Sequence, residues 1–234
     1  MTDVVAAPPR VTLPVHGTHG RFPVRRIICA GANYAAHLRE MGGEPGKDLP
    51  FFFFKPTDAI VPSGSTIPYP SQTENFQYEI ELVVAIGKRG FKVSAEAATG
   101  LIYGYAVGID LTRRDLQRKL AGAHFPWEFG KSFDHSAPCS TIHPIGATGL
   151  MTDARIWLAV NGETKQDSNL DDLIWSVPQL LSHLSEMFVL EPGDLIYTGT
   201  PAGVGPVLPG DVMTGGIDGL TDIEITVGQP LKPE

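Results

Sequence analysis

Glycine and proline interrupt this chain along its whole length, and that pattern limits its fold more than any other feature. The 234 residues include 26 glycines and 20 prolines, roughly a fifth of all positions against a usual ~12%. They do not gather into a low-complexity tract. They stand between short apolar runs, where each one ends or turns an element. The pattern disfavours a helix bundle and predicts a turn-rich, strand-dominated α+β chain. A hydrophobic content of 42% with 19% charged residues supports a folded core and argues against disorder. The length suits one domain with at most a short extension. Residues 1–21, with the tandem Pro8-Pro9 and little periodicity, are expected to form a tail or an irregular first strand, and residues 22–234 the main folded domain.

The formal net charge is −8. The longest basic cluster, Arg113-Arg114 with Arg118-Lys119, is broken by Asp115. No basic stripe of the kind nucleic acids require is present, so no nucleic-acid partner is expected. No run of 18 apolar residues could span a membrane, and MTDVVAAPPR lacks the layout of a signal peptide. Cys29 and Cys139 make neither a metal nor a disulfide pattern. A reducing cytoplasm is the expected setting.

Short strands are predicted at 25–30 and 51–55, one long strand at 76–86, and another at 103–110. Residues 34–41 have helix-forming composition and stop at Gly42-Gly43. A second helix is expected over 113–120, with Thr112 as its cap and Asp115 completing a capping-box-like pattern. Asn161-Gly162 between two strand-like runs is the strongest hairpin signal, since both residues tolerate positive φ. Ser176 and Gln179 mark the start of a helix reaching about Met187. Pro192-Gly193-Asp194 and Pro209-Gly210-Asp211 read as turns entering strands.

Candidate chemistry begins with Glu79-Ile80-Glu81. Side chains at i and i+2 of a strand share a face, and the residues that follow look covered on both faces, so two unpaired carboxylates there would be costly to bury. A hard divalent cation would offset that cost; the spacing alone favours a plainer pair of surface glutamates. Asp110 strengthens the metal reading, because it closes the apolar run Tyr103–Ile109 at a strand end. Three such acids would form an oxygen-only site that leaves positions for water and substrate. His37 and Glu40, at i and i+3 of a helix, would suit a general base whose tautomer a carboxylate fixes, although spacing alone favours a solvated face. Lys131 follows the aromatic stretch Trp127–Phe129 and would suit oxyanion stabilisation or an ordinary surface position. The loop 198–206 is Gly-rich but lacks a P-loop ending; its N–H groups and Thr hydroxyls would suit a small anion.

The ordered set Gly31-Ala32-Asn33-Tyr34-Ala35-Ala36-His37, Phe53-Phe54-Lys55-Pro56, Tyr78-Glu79-Ile80-Glu81-Leu82, Gly108-Ile109-Asp110 through Gln117, Lys131-Ser132-Phe133-Asp134 and Thr198-Gly199-Thr200-Pro201 resembles the fumarylacetoacetate hydrolase family, from about Arg25 to the C-terminus. The likeness is greatest to its short bacterial members acting on fumarylpyruvate and other acylpyruvates. It implies a mixed β-sheet roll with a few short helices, in a homodimer. It implies Mg²⁺ or Mn²⁺ on Glu79, Glu81 and Asp110, a catalytic dyad of His37 and Glu40, a catalytic Lys131, and Arg114, Gln117 and Thr200 as substrate-binding residues.

The implied reaction is hydrolysis of a C–C bond in a 2,4-diketo acid within aromatic catabolism of the gentisate type. Oxaloacetate decarboxylation or diketo-acid isomerisation on the same fold is the alternative, and a non-enzymatic keto-acid-binding module is a weaker one. Two departures bear on these implications. Gln77-Tyr78 stands where many members carry a His pair, and His124-Phe125-Pro126-Trp127 where many carry Gly-Arg-Pro-Trp. The second bears on how the far end of a substrate is held.

Overall fold

The structure, a computed structural model, describes residues 4–40, 42, 44 and 49–233. Met41 and Gly43, at the expected end of the first helix, and residues 1–3 of the expected tail lie outside the described residues.

The centre of the fold is the strand Ile80–Ile86, in which all seven residues are buried. It belongs to a mixed sheet running, in order, through Phe51–Lys55, Arg26–Gly31, Asp194–Tyr197, Ile80–Ile86, Ile102–Ile109, Ala137–Cys139 and Ile60–Pro62, with His143–Pro144 pairing beside Ile102–Ile109. A second sheet joins Glu163–Asn169, Arg155–Val160, Val212–Ile217, Ile223–Gly228 and Ser65–Pro68. A small third sheet holds Thr112–Arg113, Phe76–Tyr78 and Gly205–Pro206. The helices are few and short, the longest being Val177–Met187. This is the mixed-sheet roll that the family resemblance implies, within the strand-dominated α+β class that the composition predicts.

Alternation along the central strand divides its side chains between two cores. Leu82, Val84 and Ile86 enter the larger, with Ile156, Leu158, Met213 and Ile225 from the second sheet. Val83 and Ala85 enter the smaller, with Ile27, Cys29, Ala106, Leu195 and Tyr197. Each fully buried Val, Leu or Ile contributes about 1.5–3 kcal/mol, so the strand is held firmly from both sides. Close packing on the Val83 face requires Gly108, where a Cβ would fall 2.5 Å from Val83 and 2.6 Å from Tyr197.

The Asn161-Gly162 hairpin forms as expected, with φ of 52° and 81°. Gly193 and Gly210 turn the chain at φ of 99° and 103° ahead of the strands Asp194–Tyr197 and Val212–Ile217. Thr12–Pro14 pairs antiparallel with Arg21–Pro23, and Leu13, Val15 and Phe22 join the smaller core. Beyond this hairpin, the His16 N–H donates to Ile142 O at 2.8 Å.

Two local expectations need correction. The predicted strand 76–86 is broken at Glu79: Phe76–Tyr78 lies in the small sheet and Ile80–Ile86 in the large one. The apolar alternation runs unbroken through both, so the change of sheet leaves no local signal. Thr112 does not cap the following helix. It pairs with Gln77 in the small sheet and its hydroxyl donates to Asp110 O at 3.1 Å, so the helix begins at Arg114 without a side-chain cap. Asp115 instead accepts from the Thr73 hydroxyl and from Glu74 N at 2.8 Å, fastening the loop 69–75 to the helix.

Candidate active site

The break at Glu79 is where the site is built. Ile80 pairs with Ile109 and Glu81 with Gly108, and the Asp110 N–H donates to Glu79 O at 2.8 Å. Adjacent strand ends thereby bring Glu79, Glu81 and Asp110 together. Each has a carboxylate oxygen within 4.8 Å of the others, and all three are buried. The plainer reading of Glu79 and Glu81 as surface glutamates is excluded, since they are 5% and 1% exposed.

Three cations surround the acids. Lys131 Nζ lies 2.7 Å from both Glu79 Oε2 and Asp110 Oδ2, so Lys131 is itself buried at the site. Arg114 pairs with Glu79 Oε1 and donates to Gln77 Oε1 at 2.7 Å and Gln117 Oε1 at 2.6 Å. Gln77, one of the departures from the family pattern, therefore holds Arg114. Lys55 donates to the carbonyls of Leu111 and Lys131, and its Nζ lies 2.8 Å from Asp110 Oδ1. In the sequence Lys55 stands only as part of the Phe53-Phe54-Lys55-Pro56 motif. Its Phe-rich strand carries no sign that the ammonium turns inward.

The charges are unevenly matched. Burial raises the Glu79 carboxyl, but Lys131, Arg114 and His37 together pull it down to about 2. Glu81 has no cation partner among the described residues and accepts only from Gly199 N, at 2.8 Å. Burial, then Asp110 and Glu79, hold its pKa well above the usual carboxylate range. Burial works against the Lys131 ammonium, yet Asp110 and Glu79 keep its pKa above the ordinary lysine value. Asp110 Oδ1, despite the nearby ammonium, has no aligned hydrogen bond. An oxygen-only set with an unused lone pair and one uncompensated acid fits a hard divalent cation.

His37, on the helix Ala35–Glu40, is 5% exposed, and its Nδ1 lies 3.2 Å from Glu40 Oε2. Its Nε2 has no hydrogen-bond partner among the described residues. Asn33, just before the helix, donates to Thr198 O at 2.9 Å and accepts from Trp175 N at 2.8 Å, so this segment is tied to the loop 198–206. Gly199 in that loop has φ of 99°, and a Cβ there would meet Asn33 Cβ at 2.7 Å. Glycine lets the backbone turn its N–H onto Glu81.

These elements enclose a cavity of about 490 Å³. His37, Glu79, Glu81, Asp110, Arg114, Gln117, Lys131 and Thr200 all line it, and Glu40 reaches it through His37. His124 and Phe125 do not line it. Gln166, fully buried, is a residue that sequence reasoning missed. Its Oε1 accepts from Ile80 N at 3.0 Å, and its Nε2 donates to Thr200 Oγ1 and Pro201 O, each at 2.8 Å. It sits just past a bulge in the hairpin, within the polar run 163–169, where nothing local separates it from its exposed neighbours.

Residues 26–228 match the family profile described as fumarylacetoacetate (FAA) hydrolase C-terminal. The chain belongs to this family. Within the fumarylacetoacetate hydrolase family, it is 49% identical to the fumarylpyruvate hydrolase of Ralstonia sp over 178 residues, which cover 76% of this chain and 92% of that protein. It is 39% identical to the mitochondrial oxaloacetate tautomerase of Bos taurus over 206 residues, 88% of this chain and 93% of that protein. Among solved structures it superposes with a TM-score of 0.95 on the fumarylpyruvate hydrolase of Pseudomonas aeruginosa in complex with Mn²⁺ and pyruvate. That pair is 50% identical, with 97% of this chain and 100% of the other covered.

Proposed function

We propose that this chain is a divalent-metal-dependent hydrolase that cleaves the C–C bond of a 2,4-diketo acid, fumarylpyruvate, to fumarate and pyruvate. The observation that carries the reading is the buried cluster of Glu79, Glu81 and Asp110, which opens on one cavity together with Lys131 and the His37–Glu40 pair. Glu79, Glu81 and Asp110 would hold Mg²⁺ or Mn²⁺. Bound there, the cation would supply Lewis-acid polarisation of the keto acid and offset the negative charge that develops on the departing fragment.

The chain's own residues supply the rest. Glu40 fixes the proton on His37 Nδ1, which leaves Nε2 to accept a proton from water. The water oxygen adds to the distal carbonyl carbon, and the electron pair of the bond to the pyruvate methylene leaves with pyruvate. That fragment takes up a proton and the acyl group departs as a carboxylic acid. Lys131, kept charged by Asp110 and Glu79, stabilises negative charge on oxygen. Arg114, Gln117 and Thr200 hold the keto-acid end. The bacterial relatives support a cytoplasmic setting, and a homodimer belongs to the same reading.

Loss of the enol ultraviolet absorbance of fumarylpyruvate, followed with purified protein, Mg²⁺ and a chelator control, tests the assignment. Fast, chelator-sensitive loss yielding pyruvate and fumarate is the expected result. Folded, metal-loaded protein that leaves fumarylpyruvate intact would overturn it. The likeness to the Bos taurus oxaloacetate tautomerase would then make oxaloacetate chemistry the leading reading. Decarboxylation needs no activated water, so the His37–Glu40 pair favours hydrolysis over that reaction.

A further inference from the structure

The cavity contains a second guanidinium that the proposed chemistry does not use. Arg114, Gln117, Arg118 and Ala121 all line it. They stand at i, i+3, i+4 and i+7 of the helix Arg114–Gly122, so one helix face forms a wall of the site. Arg114, at the acid cluster, is 2% exposed and committed to Glu79, Gln77 and Gln117. Arg118 lies one turn further along, a rise of about 6 Å. It is exposed, and its side chain makes no hydrogen bond or ion pair with the described residues.

An aromatic wall covers the same interval. Phe53 lies 5.3 Å from Lys131 Nζ and packs on Trp127 with centroids 5.4 Å apart, and Trp127 packs on Phe51 at 6.2 Å. Exposure rises from 3% at Phe53 to 49% at Phe51, so the wall runs from the acid cluster toward the mouth. One end of the cavity is charged and buried, the middle is apolar, and the outer end presents an unpaired cation. A ligand complementary to this sequence has a keto-acid head, a flat apolar middle and a second anion at its tail.

We propose that Arg118 is a specificity-determining residue that pairs with the distal carboxylate of the substrate and selects dicarboxylic acylpyruvates over those with a neutral acyl group. This rests on the proposed function and assigns the acyl end of that site. Guanidinium–carboxylate pairing is strong when bidentate and weaker where water reaches it. A loss of about tenfold is therefore expected at this exposed position.

The test measures kcat/KM for fumarylpyruvate and for acetylpyruvate. The ratio of the two should fall about tenfold in Arg118→Ala, mainly through the KM for fumarylpyruvate. It should fall further in Arg118→Glu and recover in part in Arg118→Lys. An unchanged ratio across these variants overturns the proposal. If the wild type cleaves neither compound, the hydrolase assignment fails, and Arg118 is judged by binding alone. Calorimetric titration of Mg²⁺-loaded protein with 2-oxoheptanedioate and 2-oxoheptanoate should then show a preference for the diacid that Arg118→Ala removes. Equal preference in wild type and variant overturns the inference.

Discussion

Gln166 Nε2 donates to Thr200 Oγ1 across 2.8 Å. With its Oε1 on Ile80 N, the residue between the two buried glutamates of the acid cluster, this one amide ties the hairpin of the second sheet to both sides of the cavity. Gln166→Leu would leave Ile80 N and the Pro201 carbonyl without partners. The expected cost is roughly 1–3 kcal/mol of stability, visible as a lower urea midpoint, with a raised KM as Thr200 loses its anchor. A variant as stable as wild type would show that Gln166 is dispensable.

Glu81 is the acid without a cation partner among the described residues. Added Mg²⁺ or Mn²⁺ should raise the melting temperature, since a ligand that binds only the folded state stabilises it, and chelation should reverse the gain. Glu81→Gln keeps an acceptor for Gly199 N but removes the uncompensated charge. The variant should melt no lower than wild type without metal and show little metal-induced gain. Thermal scans of both proteins with and without the ion decide the point; an equal metal-induced gain in the variant would remove Glu81 from the ligand set.

His37→Gln should lower kcat for diketo-acid hydrolysis by about 10²–10⁴, the usual contribution of a general base. Mn²⁺ affinity, read by electron paramagnetic resonance, should stay close to wild type. Oxaloacetate decarboxylation, which needs no activated water, should survive better than hydrolysis. Equal loss of both activities would count against water activation by His37.

A histidine remote from the acid cluster sets a pH dependence. His143 Nε2 accepts from Thr221 N at 3.1 Å, which requires that nitrogen unprotonated, and its ring stacks on His16 at 4.2 Å. Burial, then His16, holds its pKa below the ordinary histidine value. The unfolded chain therefore binds more protons than the native one between the lowered and the ordinary pKa. This contribution is fully present above the ordinary value near 6.5 and is lost as pH falls through that window. Urea midpoints from pH 8 to 5 should drop more steeply in wild type than in His143→Gln; parallel curves would refute the assignment.

What the sequence made legible was mostly local. Asn161-Gly162 announces its own turn, and Ser176 with Gln179 its own helix start. The acids, His37 and Lys131 were found because their motifs occur in order along the chain. Four features stayed hidden because partners distant in sequence decide them. Thr112 has the chemistry of a cap, but pairing with Gln77 draws it into a strand. The sheet change at Glu79 sits inside an unbroken apolar alternation. Lys55 and Gln166 turn inward from runs whose composition points elsewhere, and only their distant acceptors, the carbonyls of Leu111 and Lys131 for one and Thr200 for the other, account for it.

Glu79 stands where one strand ends in the small sheet and the next begins in the large one, and the neighbouring Asp110 and Thr112 make the same passage on the adjoining strand. An ion gripped by Glu79, Glu81 and Asp110 would span that seam like a rivet. Its departure would then loosen not only a ligand shell but the joint between two layers. In such a protein, catalytic competence and mechanical integrity would fail together, and scarcity of the ion would be felt as slackness in the backbone of the small sheet.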